Sequence, residues 1–338
     1  MKTSTSKRLR WNVAIWLAAG LFMTSTAGMA SGPIMPDPKA EARHQPQVEE
    51  TANGIPLVNI TAPSSGGVSR NEYEMFNVPD KGAILNNSYT LSKTELAGYV
   101  PGNNNMAERP AKIIVNEVTG AGSTSMDGFL EVAGNRADVV IANPNGITVN
   151  GGGFINTGKA FLTTGKPVYD GEDHLQRFDI TGGDILIEGK GLGGKETESL
   201  AILSRAVKIN AGIWAEDLHI TTGANTVDAK TLEASAIEGK GGRPAFALDT
   251  AAIGGMYAGR ITLVGTEKGL GVNNSGTIYS KGNADLRANY LENDKTIAAE
   301  RNLSAAAKEN IRNQGKLLAG ENIDIYAGKT LDNAGHAM

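Results

Sequence analysis

The sequence has no cysteine, only four histidines and few aromatic residues, with 7 Phe, 8 Tyr and 3 Trp among 338 positions. Without cysteine there is no disulfide, no thiolate metal ligand and no thiol nucleophile. The histidines, His44, His174, His219 and His336, are isolated and lack metal-ligand spacing, and no Ser-His-Asp signature accompanies them. Basic charge is not in excess either. The net charge is -4 and no basic stripe is interleaved with aromatics, so nucleic acid is not an expected partner. Long hydrophobic runs are missing too: the stretch from Trp11 to Met23 is shorter than the roughly 20 residues of a membrane-spanning helix.

That short run follows Lys2, Lys7, Arg8 and Arg10 and precedes small residues, which is the layout of a secretory signal over 1–30, cleaved after Ala27 or Ala30. An exported chain without disulfide staples needs another source of cohesion, and a closed covalent loop would hinder threading through a second pore. Residues 31–52 carry Pro33, Pro36, Pro38 and Pro46 among charges with almost no apolar periodicity, and are expected to form a linker or leader.

Abundant instead are glycine, with 43 residues, and short apolar runs bounded by turn chemistry. In "ADVVIANPNGITVNGGGFIN" (137–156) the β-branched residues from Asp138 to Ala142 predict a short buried strand. Pro144 cannot donate to a ladder, and Gly146 is free to take positive φ, so the chain turns a corner. Ile147 and Val149 then alternate with Thr148 and Asn150 as a second strand, which Gly151, Gly152 and Gly153 are expected to end. Similar runs recur at 111–118, 128–134, 159–165, 183–189 and 260–265, which makes the class all-β.

From Asn274 the order becomes periodic. The triplets led by Asn274, Asn293, Asn313 and Asn333 recur at steps of 19, 20 and 20 residues, the signature of a solenoid. Between them Ile278, Ile297 and Leu317 correspond, as do Ala284, Leu303 and Ile323; Leu286, Ala305 and Ile325; and Leu291, Ile311 and Leu331. Alternating apolar positions bury one face, so the repeats read as coils of a β-helix. One coil cannot stand alone: about five buried side chains contribute roughly 1.5 to 3 kcal/mol each, against roughly 1 to 2 kcal/mol for ordering each of some twenty residues. Stacking supplies the difference, and would place Asn274, Asn293, Asn313 and Asn333 in an amide ladder, with Asn283, Asn302 and Asn322 as a second register. Local propensity over Ala298 to Gln314 favours helix, whereas the repeat favours strand.

The segment from Ala111 to Asn156 closely resembles the secretion domain of two-partner secretion exoproteins, the group of filamentous haemagglutinins and contact-dependent inhibition proteins. The likeness extends to "FNVPDKGAILNNS" (76–88), "GKAFLTTGKP" (158–167) and "AIGGMYAGRITLVGTEKGLGVNNSGTI" (252–278). It implies a right-handed parallel β-helix with an N-terminal cap and small extra-helical hairpins, a secretion domain over 53–270, and haemagglutinin-type repeats over 271–338. It also implies recognition by a cognate outer-membrane β-barrel transporter, location in the medium or at the cell surface, and host or bacterial cell-surface receptors for a longer shaft. No cofactor or metal is implied. The family's Asn-Pro-Asn-Gly-Ile motif stands at Asn143, Pro144, Asn145, Gly146 and Ile147. A second motif, Asn-Pro-Asn-Leu, corresponds to Asn103, Asn104, Asn105 and Met106, without its proline and leucine. A cysteine pair common in relatives falls on Val149 and Gly152.

Two alternatives accompany this reading. Asn143 and Asn145 can brace a turn as well as touch a transporter, since asparagine readily mimics turn hydrogen bonds. A β-helix can also be a polysaccharide-active enzyme, for which the densest cluster is Asp170, Glu172, Asp173 and His174; a hydrophilic charge run of this kind is more often a solvated hairpin. The last residues, "LDNAGHAM", lie inside a repeat, as in the base of a longer exoprotein, a degenerate paralogue or a truncated reading frame.

Overall fold

Short strands ended every few residues by Gly, Asn or Pro cannot satisfy their edges by lateral growth within one turn of chain, so they pair with the next turn instead. A computed structural model describes residues 32–106, 109–194 and 196–338, and in it this pairing builds a parallel β-helix. The expected signal over 1–30 lies outside the described residues. A typical coil is Leu291–Asn293, Thr296–Ala299 and Leu303–Ala307. Each strand lies parallel to its counterpart in the next coil, Asn310–Asn313, Lys316–Ala319 and Ile323–Ala327. One face is a nine-stranded sheet running from Thr124–Met126 to Thr330–Asn333. The other two faces join into one sheet because Gly212–Thr222 and Gly255–Gly265 pass through both without a break.

The interior follows the alternation. Ile278, Ile297 and Leu317 pair directly from coil to coil and are fully buried, so they line one axis. The stretch with helical propensity forms Thr296–Ala299, Leu303–Ala307 and Asn310–Asn313. Partners above and below outweigh a preference worth less than about 1 kcal/mol per residue. Ala137–Ala142 and Ile147–Val149 flank the expected corner, where Gly146 has φ +112°. The triple glycine differs from expectation. Gly151, at φ +101°, makes the turn, but Gly152 and Gly153 open the next strand, Gly152–Ile155. A Cβ on Gly153 would come within 2.4 Å of Phe129 Cε1, so glycine there leaves room for the ring lying across that strand.

The expected linker is a correction. Ile34–Pro36 pairs antiparallel with Val68–Phe76, and Gln47–Glu50 pairs antiparallel with Pro56–Asn59. These two short strands cover the open edges of the first coil, which would otherwise be left unpaired. Proline is tolerated there because Pro36 sits at a register irregularity on an outermost strand. So few apolar residues are needed, chiefly Ile34 and the half-buried Val48, that the sequence reads as a linker.

Outside the coils, Lys166–Tyr169, Leu175–Ile180, Asn225–Asp228 and Ala234–Ala236 form an antiparallel four-stranded sheet. It lies over a second apolar cluster that includes Val115, Val140, Phe161, Ala201 and Phe178. Ser92–Thr94 and Gly98–Val100 form a separate hairpin. Arg205 clamps the segment following the four-stranded sheet, donating to both carboxylate oxygens of Glu267, at 3.0 and 2.8 Å, and to the Lys240 carbonyl at 2.5 Å.

The cap is tied down by charge. His44, in the short helix Ala42–His44, is buried with Nδ1 3.0 Å from Glu72 Oε1, and Arg70 Nη2 lies 2.8 Å from the same oxygen and 3.5 Å from Glu117 Oε2. Burial holds His44 below its ordinary value, aided by the Arg70 charge and opposed by Glu72, with lesser effects from Arg43 and Glu41; burial pushes the Glu117 carboxyl up. A lowered folded-state His44 favours the fold above its unfolded value of 6.5, and that advantage is lost as pH falls below it. Glu117 acts in the opposite sense, since a raised carboxyl favours the fold at low pH and loses that advantage as pH rises through its folded value. The comparison of interest is therefore between parent and His44→Asn in urea melts. The parent is expected to lose more stability between about pH 7.5 and about pH 5.5 than the variant does; equal losses would show that His44 does not couple the cap to protons.

Candidate functional site

The Asn-Pro-Asn-Gly-Ile corner is built by its first side chain. Asn143 is fully buried, and its Nδ2 donates to the Gly122 carbonyl at 2.9 Å and to Thr124 Oγ1 at 3.0 Å. Its Oδ1 accepts the Asn145 backbone N–H at 2.9 Å, closing an Asx turn around Pro144. Asn145 Nδ2 reaches the Gly120 carbonyl at 2.8 Å. Ile147 and Gly146 are buried, whereas Pro144 and Asn145 are exposed. Asn143 thus has no atom free for a partner, and the corner presents only Pro144 and Asn145 to one.

The second motif repeats this design despite its missing proline. Asn103 is buried, donates from Nδ2 to the Ile60 and Asn86 carbonyls, both at 2.9 Å, and accepts the Asn105 N–H at 2.9 Å. Asn105 Nδ2 reaches the Ile60 carbonyl at 3.1 Å, Asn104 is exposed in the place of proline, and Met106 is buried in the core. The two corners have the same internal bonding and different exposed residues.

The repeat asparagines meet as a chain of amides. Asn274 Nδ2 donates to Asn293 Oδ1 at 2.8 Å, Asn293 to Asn313 at 2.7 Å, and Asn313 to Asn333 at 2.7 Å. Asn274, Asn293 and Asn313 are fully buried, while Asn333 is exposed. The outer register is bonded as well, with Asn302 donating to Asn283 at 3.2 Å and Asn322 to Asn302 at 2.9 Å. Sequence reading missed further buried amides. Asn86 donates to Asn59 at 2.8 Å, and Asn87 Nδ2 donates to the Ala111 and Asn135 carbonyls while its Oδ1 accepts the Ala111 N–H. The adjacent asparagines at 86 and 87 were the available signal, but without a period they gave no register.

The acidic cluster closes a hairpin tip. Asp170 accepts the backbone N–H groups of Glu172 and His174, both at 2.9 Å, along with His174 Nδ1 at 2.9 Å and Gln176 Nε2 at 3.1 Å. These donors, the His174 N–H first, hold its carboxyl below the usual carboxylate range, the reverse of what a general acid requires. Asp173 pairs with Arg43 at 2.8 Å. Asp170 and His174 are thus engaged with each other and Asp173 with the cap.

Capped coils, braced corners and an amide ladder define a parallel β-helix whose polar side chains serve mainly its own turns and joints. Comparison with known proteins places it further. The model of the TPS secretion domain matches residues 33–293, and that of the haemagglutinin repeat matches 279–335. The chain belongs to the two-partner secretion domain family, and its β-helix is the secretion domain of an exoprotein of the CdiA and filamentous haemagglutinin kind. The matched span begins at residue 33 and so includes the cap strands, while the two models overlap over 279–293 as a continuous stack allows.

Among relatives, a "Toxin CdiA" of Yersinia pestis is 43% identical over 292 residues, 85% of this chain and 9% of the relative. A "16S rRNA endonuclease CdiA" of Enterobacter cloacae is 42% identical over 313 residues, 90% of this chain and 9% of the relative. The chain therefore spans about a tenth of the length of these curated relatives. The crystal structure of the filamentous hemagglutinin secretion domain aligns with a TM-score of 0.71 at 28% identity, covering 89% of this chain and 100% of that one.

The ladder makes a differential prediction. Asn293→Ala takes the donor from buried Asn313 Oδ1 and one of three acceptors from Asn274 Nδ2, and is expected to lower stability by about 1 to 3 kcal/mol. Asn302→Ala, in the outer register, should stay within about 0.5 kcal/mol of the parent. Guanidinium melts of the two variants compare them directly, and equal effects would mean that the inner ladder adds nothing beyond the strands.

Proposed function

We propose that this chain is the export-directing module of a two-partner secretion exoprotein, recognised by a cognate outer-membrane β-barrel transporter and acting afterwards as the nucleus on which later coils fold. The observation that carries this reading is the secretion-domain match over 33–293 on a stack whose first coil is covered by cap strands. Exoproteins of this family are secreted or displayed at the cell surface. The route proposed here begins with the signal over 1–30 and passes through the periplasm. Within the corner, Asn143 keeps the shape while Pro144 and Asn145 make the contact; at the second corner Asn104 is the exposed counterpart, and Asn105 is half-buried against Ile60.

The stack also suggests a source of direction. A coil emerging on the outer side finds its hydrogen-bond partners and apolar cover on the coil before it, so each docked coil makes backward sliding less favourable. The module is not itself an enzyme, and nucleic acid is not its partner. The nuclease names belong to relatives of which this segment matches about a tenth. In this reading, receptors on host or bacterial cells are met by a shaft built on this base.

Co-expression with a cognate transporter tests the reading by the amount of chain reaching the medium. Asn145→Ala is expected to lower export several-fold while the purified variant, losing an exposed bond to Gly120, stays within about 1 kcal/mol of the parent. Asn143→Ala should lower both export and stability, the latter by about 1 to 3 kcal/mol. Parental export by both variants would remove the corner from recognition, and no export of the parent would remove the transporter reading itself.

A further inference from the structure

The hairpin tip over 170–174 has one clear geometric relation: it reaches the N-terminal cap. Arg43 Nη1, from the helix Ala42–His44, donates to Asp173 Oδ2 at 2.8 Å across 130 positions of sequence. Ser64 Oγ donates to the Asp173 carbonyl at 3.4 Å. Gly66 lies so close to the His174 ring that a Cβ there would fall 1.8 Å from Cδ2. At the foot of the tip, the Tyr169 ring lies 4.5 Å from the Arg70 guanidinium, and Arg70 shares the Glu72 carboxylate with His44 of the cap. The hairpin thus holds the cap directly through Asp173 and indirectly through Arg70. This joint is less well satisfied than the coils: Arg70 Nε, Glu117 Oε2 and Tyr169 OH are buried there without hydrogen-bond partners.

We infer that the tip is the latch of the cap, and that the cap closes over the first coil only after the four-stranded sheet carrying the hairpin has formed. Closing a loop of 130 residues on one ion pair and a few contacts is opposed by chain entropy. Once the coils have stacked, the tip is already in place and the same contacts form at little further entropic cost. That sheet is completed only by Ala234–Ala236, so the latch depends on chain that follows the cap by nearly two hundred residues. In export, and this consequence rests on the transporter reading above, the first-coil edges at Pro56–Asn59 and Val68–Phe76 stay uncovered while the intervening coils assemble. The cap strands then shut them.

Hydrogen exchange on the purified full chain tests the latch without a transporter. Asp173→Asn removes the charge that Arg43 meets, and Gly66→Ala displaces the His174 ring without altering any residue of the tip. Both are expected to speed exchange of peptides over 32–50 by about ten-fold or more while leaving peptides over 290–320 unchanged. Arg177→Gln, which removes an exposed pair with Asp179 elsewhere on the hairpin, should exchange as the parent does. Parental exchange of the cap in either variant, or equal acceleration of cap and coils, would overturn the latch. Pulse labelling during refolding addresses the order: protection over 32–50 is expected after protection over 166–180, and earlier or simultaneous protection would contradict it. A failure of export in co-expression would remove only the consequence for the transporter, whereas an unmoved cap would remove the latch alone.

Discussion

The structure depends on in-register parallel pairing between each coil and the next. A strand of three to five residues leaves both edges unpaired, and only the neighbouring coils meet them. That constraint makes the molecule directional. The first coil needs a separate cover, which Ile34–Pro36 and Gln47–Glu50 provide by running antiparallel to it. Each coil between the first and the last described is at once covered and covering. The apolar axis through Ile278, Ile297 and Leu317 has the same logic, since each side chain is buried against its equivalents rather than against a distant part of the chain.

Asparagine suits this architecture because its amide carries a donor and an acceptor on opposite sides, so a column along the axis can satisfy both at every rung. The chain from Asn274 to Asn333 is such a column. At the corners the same amide is used inward: Asn143 and Asn103 bind carbonyls of earlier segments and the N–H two residues on. The construction survives the exchange of Pro144 for Asn104, because neither exposed residue takes part in the bracing. At both corners the buried amide sets the turn, and the exposed position after it, Pro144 in one and Asn104 in the other, is free to differ.

Exposed ion pairs such as Arg301–Glu321 and Lys329–Glu309 run between successive coils, whereas the more buried ones sit at joints between the coils and what is attached to them. Arg205 and Glu267 hold the segment after the four-stranded sheet, and Arg70, Glu72 and His44 hold the cap. The interior of the C-terminal coils relies on apolar packing and neutral amides that repeat from Asn274 to Asn333, whereas the joints at Arg205–Glu267 and at His44–Glu72 each occur once. A stack of this kind can extend without redesign, but its attachments cannot be copied from coil to coil.

Much of the fold was legible in the residues because a solenoid is local: a period near twenty, the alternation in Ile323–Ala327 and the turn chemistry at Asn143 to Gly146 are each set by neighbours within one or two coils. The same locality let the repeat prevail over helical propensity from Ala298 to Gln314. What remained hidden depends on contacts without a period. The cap looked like a linker because its strands draw their stability from edges supplied by residues 56–59 and 68–76, and its own residues carry little apolar signal. The acidic run at 170–174 admitted a catalytic reading until the fold placed Asp173 against Arg43 and spent Asp170 on its own turn. The sequence by itself determined the strands, corners and register of the repeating coils, since short-range hydrogen bonding and side-chain alternation suffice for them; only the tertiary structure decided the cap strands and which charged groups meet, because those pairings exist solely once the coils have been stacked.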